Sequence, residues 1–221
     1  MKCSKEPESP SCSAKKSFII FDNMREFFWT FVSFCLAFAF WACSDSSVGA
    51  GDEDSRAGIF VDARDSQSYK TIEIRGLVWM AQNLNYFDAS DSLYKRTSCY
   101  NDSAEYCEKQ GRLYAWNVAM VACPQGWKIP SKSDFDNLIE AVGGFDFAAD
   151  SLMSLDFVSE IGGGYHFLEY YNYFDEYAYF WTTDEVRANY ARTVMLEKDR
   201  SSVSYDETYE EFALSVRCVR K

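Results

Sequence analysis

The sequence predicts an α+β domain in which two short helices pack on small twisted antiparallel sheets held by disulfide bonds. Alternating apolar and polar side chains over residues 69–75 indicate a half-buried strand. Apolar residues at helical spacing after Ser131 indicate an amphipathic helix. The same part of the chain contains four cysteines: Cys99, Cys107, Cys123 and Cys218.

The remaining elements follow in chain order. Gly76 ends the first strand, and residues 77–86 form a second extended segment. Residues 115–122 predict a short buried helix that ends near Cys123 and Pro124. Ser131 caps the second helix, with Asp134 three residues later in a box-like arrangement, and a Gly pair ends it. Its apolar face consists of Phe135, Leu138, Ile139 and Val142.

Length and charge limit the class of protein. A chain of 221 residues suits one domain plus a processed leader. The net charge is −12, and residues 1–42 carry five basic and four acidic side chains, so the remainder is more acidic still. An acidic body repels phosphate backbones, and we therefore expect no nucleic-acid partner.

The first 42 residues resemble a leader. Residues 27–42 are sixteen residues without a charge, which is short for a membrane span but suits a signal-peptide core. Ala42-Cys43 followed by Ser and Asp looks like a bacterial lipoprotein signal, in which Cys43 is lipidated and becomes the N-terminus. An uncleaved anchor and ordinary signal cleavage are the alternatives. Met24 is a candidate for the true start, because a more normal signal peptide begins there.

After the leader, the sequence predicts a flexible tether and then one domain. Residues 43–58 contain almost no large apolar side chain, which is typical of a linker, and the domain spans residues 59–221. We expect export, with the lipid anchor attaching the chain to a bacterial membrane in the cell envelope, the outer membrane being favoured.

The domain cysteines allow three pairings. Cys99 and Cys107 lie eight residues apart around a polar turn and suit a local disulfide, which leaves Cys123 to pair with Cys218. Closing the longer loop stabilises a fold by about 4–5 kcal/mol in the chain-entropy treatment. Metal binding is a poor alternative, because there is no C-x-x-C motif and the chain has one His.

Six blocks occur in order: residues 62–65, 79–86, 111–114, 123–131, 179–185 and 215–219. Together they resemble the Fibrobacter succinogenes major paralogous domain family over about residues 60–221. The resemblance implies an exported lipoprotein, and its later blocks also resemble the C-type-lectin-like fold. The Glu-Pro-Asn and Trp-Asn-Asp motifs of calcium-dependent lectins do not occur in the sequence, so the resemblance implies neither a metal site nor a cofactor.

The candidate binding residues are tyrosines. Residues 165–181 contain ten aromatic side chains in seventeen positions, in the region that the resemblance maps to a variable long loop. Aromatic rings stack on sugar faces, and Tyr is enriched at recognition surfaces. Tyr179, Phe180 and Trp181 are expected in the core, and half of the segment's rings could pack the loop onto it. The predicted exposed ligand-binding residues are Tyr170, Tyr171, Tyr173 and Tyr177.

No catalytic residue is predicted. His166 has no nucleophile signature beside it, and the acidic pairs match no calcium loop. The preferred function is a membrane-anchored binding or adhesion module for polysaccharide or a cell-surface protein. The alternatives are an enzyme related to the formylglycine-generating type, which needs reactive cysteines, and a structural envelope protein without a small ligand.

Overall fold

The structure, a computed structural model, describes residues 55–158 and 163–221. The predicted leader, its alternative start at Met24, the lipidation residue Cys43 and most of the tether lie outside these residues. Within the described part of the chain, no helix combines the length and the apolar character needed to cross a membrane.

The described residues form an α+β fold. The α-helices are α1 Ala104–Gln110, α2 Trp116–Ala122, α3 Lys132–Ala141 and α4 Ala148–Ser154, and two 3₁₀ turns cover Ser92–Arg96 and Tyr100–Asp102. The strands are β1 Ser55–Val61, β2 Ser68–Ile74, β3 Leu77–Met80, β4 Thr97–Ser98, β5 Leu113–Ala115, β6 Tyr165–Phe167, β7 Tyr170–Asn172, β8 Tyr177–Arg187, β9 Tyr190–Glu197, β10 Val203–Tyr209, β11 Ala213–Ser215 and β12 Val219–Arg220.

The strands form two sheets within the described residues. The smaller has the order β1-β2-β3-β12 and is antiparallel throughout. The larger has the order β10-β9-β8-β11-β5-β4, and the β6–β7 hairpin joins it through β11. Its strands pair antiparallel except β8 and β11, which run parallel.

The predicted strand at residues 69–75 is confirmed as β2, whose buried and exposed positions largely alternate. The second extended segment is shorter as a strand than predicted, because β3 ends at Met80. Beyond it the backbone still pairs: Leu84 N donates to Val216 O at 2.9 Å. The β1 strand begins at Ser55, four residues before the predicted domain start, because backbone pairing with β2 needs no large apolar side chain.

The α+β class is as predicted, but the structure has two further α-helices beyond the two predicted. Both α1 and α4 are seven residues long, and neither has a side-chain hydrogen bond at its N-cap. A short helix without a cap is held by packing and gives little signal in the sequence unless its residues are mostly apolar, as in α2, which also has seven residues and no side-chain cap.

The predicted cap of α3 is confirmed. Asp134 N donates to Ser131 Oγ at 3.2 Å, and Ser131 N donates to Asp134 Oδ2 at 2.9 Å, so the two residues form a capping box. The predicted apolar face packs inward: Phe135, Leu138 and Ile139 are buried. This face meets Trp79 of β3, whose ring centroid lies 5.2 Å from that of Phe135.

A second apolar cluster surrounds α2 and the larger sheet. It contains Trp181 and Leu214, both 0% exposed, together with Trp127. Trp181 Nε1 donates to Tyr114 O at 2.7 Å, which satisfies the one polar group of a fully buried ring. Trp79 and Trp127, expected as core anchors, are both buried.

Both predicted disulfides are present. Cys99, which precedes the 3₁₀ turn Tyr100–Asp102, bonds Cys107 in α1. Cys123, the C-cap of α2, bonds Cys218, which lies directly before β12. The predicted terminal strand over residues 215–219 is interrupted, since β11 ends at Ser215 and β12 begins at Val219. Arg217 lies within this break and is buried, as are its neighbours Val216 and Cys218.

Candidate functional site

A groove of about 290 Å³ on the larger sheet is lined by aromatic side chains. We call it the aromatic groove. Its lining consists of Tyr165, Tyr179, Tyr190, Tyr209, Phe212, Leu214, Asp206, Glu207 and Thr208. Four tyrosines and a phenylalanine therefore surround two carboxylates and a hydroxyl.

Several separate elements supply the lining. Tyr190 of β9 lies directly opposite Tyr209 of β10 in the strand register, and their ring centroids are 5.5 Å apart. Tyr179 comes from β8, and Leu214 from β11 is fully buried. Phe212 lies in the turn between β10 and β11, where its N–H donates to Tyr209 O at 2.9 Å. The groove is thus a product of sheet pairing.

Tyr165 of β6 lies at the centre of the ring contacts. Its ring centroid is 4.8 Å from that of Phe212, 5.5 Å from that of Tyr173 and 6.2 Å from that of Tyr179. Phe212 in turn stacks on Phe167, with centroids 4.2 Å apart and planes 9° apart. These contacts hold the rings in place before any ligand arrives, which lowers the entropy cost of binding.

Two phenols of the groove, those of Tyr165 and Tyr179, stay protonated at neutral pH. Burial raises the pKa of Tyr179 well above its usual range, and the neighbouring Tyr177, Tyr173 and Asp206 add to the shift. Burial also raises the pKa of Tyr165, with a contribution from Tyr173. Each hydroxyl can therefore both donate and accept a hydrogen bond.

The acidic groups of the groove are accessible. Asp206 and Glu207 are both exposed on β10, at the edge of the larger sheet. Arg187 Nε donates to Glu207 Oε2 at 3.4 Å, and Glu207 N donates to Asp206 Oδ1 at 2.8 Å. Both carboxylates keep oxygen lone pairs available for a ligand.

The four predicted tyrosines fall into two groups. Tyr173 is 45% exposed and contacts both Tyr165 and Tyr177, and Tyr177 stacks on Tyr179 with centroids 5.8 Å apart. These two extend the row of rings that leads to the aromatic groove. Tyr170 and Tyr171 lie on β7 and are not part of its lining.

Tyr171 is occupied by contacts within the protein. Its ring stacks on His166 with centroids 4.1 Å apart, and its hydroxyl donates to Asp102 Oδ1 at 2.6 Å. Tyr170 is 67% exposed. The region predicted as a long loop therefore contains a hairpin, β6–β7, followed by β8.

Phe180 and Trp181 are buried as expected. Tyr179 is half-buried, and it both packs against the core and lines the groove. Tyr165, Tyr190, Tyr209 and Phe212 were missed by the sequence reasoning. Tyr190 is the first residue of β9 and Tyr209 is the last residue of β10, so a predicted β9–β10 hairpin would have placed them near each other. Only the strand register shows that they lie directly opposite each other.

The single histidine does not complete a catalytic constellation. Ser98 Oγ lies 2.9 Å from His166 Nδ1, but Asp102, the nearby carboxylate, binds the hydroxyl of Tyr171. An orienting acid for the imidazole, as in a Ser-His-Asp triad, is therefore not found at this place. Across residues 55–158 and 163–221, no three His, Cys, Asp or Glu side chains are grouped as metal ligands would be.

Comparison with known proteins bears on one segment of the chain. Residues 72–160 match the family model of the Fibrobacter succinogenes major domain, whereas no curated protein and no solved structure matches. The α+β class is therefore established by the structure itself, and the C-type-lectin-like resemblance stays a prediction. The aromatic groove begins at Tyr165 and lies beyond the matched segment. The predicted family resemblance is confirmed over the matched segment: residues 72–160 match the model of the Fibrobacter succinogenes major domain.

Proposed function

We propose that the chain is an exported binding module whose aromatic groove takes a neutral glycan. The observation that carries this proposal is the lining of one groove by five aromatic rings beside two exposed carboxylates and a threonine hydroxyl. Other features of the protein fit a binding role, but none of them would suggest it without this groove.

The chemistry of a sugar ring matches this lining. The C–H face of a pyranose is apolar and packs on an aromatic ring, and the hydroxyls at its edge both donate and accept hydrogen bonds. Tyr165, Tyr179 and Phe212 offer ring surface, while Asp206 and Thr208 offer acceptors within the same groove. Sites of this kind combine apolar walls with a few placed polar groups.

The charge of the protein selects among glycans. Asp206 and Glu207 both border the groove, and the whole chain has a net charge of −12. Both would repel uronate, sulfate and phosphate groups. We therefore expect neutral polysaccharides to bind and acidic ones to be rejected, most strongly at low salt.

A direct test is the retention of the mature chain on insoluble and immobilised neutral polysaccharides, followed by titration of the oligosaccharides that retain it. Tyr209→Ala and Phe212→Ala remove rings from the groove and should weaken binding at least tenfold. Tyr170→Ala removes an exposed ring outside the groove and should leave binding unchanged. If no neutral glycan retains the unmutated chain, the proposal is wrong.

The predicted Tyr173 and Tyr177 have an intermediate place in this proposal. They contact Tyr165 and Tyr179 without lining the groove themselves. Replacing either with Ala should weaken binding only a few-fold, because the loss acts through the support of neighbouring rings.

A protein partner is the second candidate, and a separate surface favours it. Leu168 is 72% exposed and Tyr170 is 67% exposed at the tip of the β6–β7 hairpin. Exposed apolar side chains at a hairpin tip suit contact with another protein. Loss of cell adhesion in a Leu168→Ser, Tyr170→Ala variant that still binds glycan would favour this candidate.

The anchoring part of the proposal depends on Cys43 and the signal before it. Metabolic labelling with a fatty acid and membrane fractionation of Cys43→Ser would test it, and an unmodified Cys43 would contradict it. The enzyme alternative lacks its reactive thiols in the described domain, where all four cysteines are in disulfides. A structural envelope role remains the alternative if neither glycan nor protein binds.

A further inference from the structure

The β6–β7 hairpin, which supplies Tyr165 to the aromatic groove, has little backbone pairing with the rest of the larger sheet. Within the described residues, its register with β11 is the single pair of Ala213 and His166, and β7 pairs only with β6. A two-stranded hairpin by itself is at most marginally stable in water. Side-chain contacts must therefore hold this hairpin in place.

One side of the hairpin packs on the segment that the Cys99–Cys107 disulfide closes. We call residues 99–107 the anchor loop. Tyr171 of β7 donates its hydroxyl hydrogen to Asp102 Oδ1 at 2.6 Å, and its ring centroid lies 5.1 Å from that of Tyr100. The hairpin is thus attached to the anchor loop by both a hydrogen bond and a ring contact.

The residues that flank the hairpin and the loop add to this attachment. Phe174, two residues after β7, has its ring centroid 4.7 Å from that of Tyr100 and 4.8 Å from that of Tyr106. Ser98, directly before the anchor loop, has its Oγ 2.9 Å from Nδ1 of His166 in β6. Tyr100 is 9% exposed, so it lies at the buried centre of these contacts.

The anchor loop has a backbone that an open chain would rarely adopt. Asn101 and Asp102 both have a φ of 53°. Asn and Asp visit this left-handed region mainly as single residues, so two in succession are unfavourable. The helix that follows, α1, has seven residues and no side-chain cap, and a helix of that length is not stable alone. The disulfide offsets both deficiencies, because it limits the conformations of the open loop.

We propose that the Cys99–Cys107 disulfide is a redox-sensitive switch: a dithiol reductant that opens it releases the β6–β7 hairpin from the anchor loop. A thiolate of the reductant attacks Cys99, which is partly exposed, whereas Cys107 is 4% exposed. The attack forms a mixed disulfide and expels Cys107 as a thiolate. The second thiol of the reductant then forms its own disulfide and frees Cys99. Two electrons pass to the protein, and both cysteines end as thiols.

The Cys123–Cys218 disulfide is separate from this switch. It joins the end of α2 to the residue before β12, and Cys218 is 0% exposed, which hinders attack by a thiolate. Release of the hairpin would displace Tyr165, which contacts Phe212 and Tyr179 in the groove. Weaker glycan binding after reduction therefore rests on the proposed function, whereas the release itself does not.

Hydrogen exchange of the full chain, followed by mass spectrometry, tests the release. In the Cys99→Ser, Cys107→Ser variant, the amides of β6 and β7 should exchange at least about tenfold faster than in the unmutated chain, and those of β2 should change much less. The Cys123→Ser, Cys218→Ser variant is the matched control, in which the hairpin should not be accelerated more than β2. Equal acceleration of the hairpin and β2 in the first variant would show a general loss of stability and overturn the proposal.

Partial reduction of the unmutated chain makes the test independent of how the variants fold. Low concentrations of dithiothreitol, followed by alkylation and peptide mapping, should label Cys99 and Cys107 first and accelerate exchange in the hairpin of the same sample. Labelling of Cys123 and Cys218 first would overturn the proposal, as would a reduced anchor loop with unchanged exchange in the hairpin. A chain that binds no neutral glycan would still show these differences, so failure of the proposed function is distinguishable.

A smaller change tests the contact between the hairpin and the loop. Tyr171→Phe removes only the hydrogen bond to Asp102 and should accelerate exchange in the hairpin a few-fold. Tyr170→Phe is its control, because Tyr170 is 67% exposed and its hydroxyl has no hydrogen bond among the described residues. Equal exchange in the two variants would contradict the attachment of the hairpin to the anchor loop and overturn the proposal.

Discussion

Gly164 lies directly against the carbonyl of Asn172 where the β6–β7 hairpin joins β8. A Cβ atom at Gly164 would be 2.0 Å from Asn172 O, and the backbone there has a positive φ of 44°. Since Asn172 is the last residue of β7, this close approach fixes the hairpin that supplies Tyr165 to the aromatic groove.

Gly164→Ala should therefore lower the free energy of unfolding by about 3 kcal/mol, because the side chain adds a backbone clash to a strained φ. Urea denaturation measures the change. Gly126→Ala is the control: Gly126 has a φ of 82°, but a Cβ atom there would meet no other atom within 4 Å. It should cost only about 1 kcal/mol, and equal losses in the two variants would contradict the role given to Asn172.

The two disulfides should differ in what their removal costs. Cys123–Cys218 closes a separation of 95 residues, and Cys99–Cys107 closes one of eight. In the chain-entropy treatment, the long loop is worth about 4.7 kcal/mol and the short one about 2.5 kcal/mol. Urea denaturation of the two paired Cys→Ser variants measures both losses. A larger loss for the short loop would show that effects on the native state exceed loop closure.

Stability should fall in acid partly through Asp62. Burial alone would raise the pKa of this carboxyl, but hydrogen bonds and the charge of Arg64 more than offset it, so the pKa lies below its ordinary 3.8. A depressed pKa stabilises the fold above the unfolded-state value, and this stabilisation is lost as the pH falls through the folded-state value. Asp62→Asn should therefore flatten the acid limb of a plot of unfolding free energy against pH below about 4.

Asp146→Asn is the control for that measurement, because Asp146 is exposed and has no ion pair among those of the described residues. In Asp146→Asn, the fall of unfolding free energy with falling pH should be the same as in the unmutated chain. An Asp62→Asn profile that parallels the unmutated one would contradict the assignment.

The capping box of α3 should be worth about 1 kcal/mol. Ser131→Ala leaves the N–H of Asp134 without its acceptor, whereas Ser131→Asn restores one. Thermal or urea unfolding of the two variants should show a loss in the first and near recovery in the second. A loss of the same size in both would mean that the packing of Ser131 matters more than its hydrogen bond.

Local patterns in the sequence predicted much of the scaffold. The alternation at β2 reports a strand with one buried face, and Ser131 with Asp134 reports a helix start, because both signals need only neighbouring residues. The pairing of Cys99 with Cys107 followed from their short separation and fixed the partner of Cys123. The seven-residue helices α1 and α4 have no side-chain cap and were missed.

The candidate site was predicted less well than the scaffold. The density of aromatic residues predicts a binding surface within residues 165–181, which contain Tyr165 and Tyr179, but it does not reveal the β6–β7 hairpin that decides which tyrosines are exposed. Tyr171 turned out to be occupied by His166 and Asp102. Tyr190 and Tyr209 lay in segments with no aromatic cluster to draw attention to them.

By itself, the sequence determined the α+β class, the capped helix and the covalent links, because these depend on short-range periodicity, on caps and on a small number of cysteines. The tertiary structure alone decided which rings share a groove and which loop holds the β6–β7 hairpin. Both depend on strand register and on chain crossings that bring residues dozens of positions apart together, as with Tyr171 and Asp102. No local pattern of residues predicts such a long-range contact.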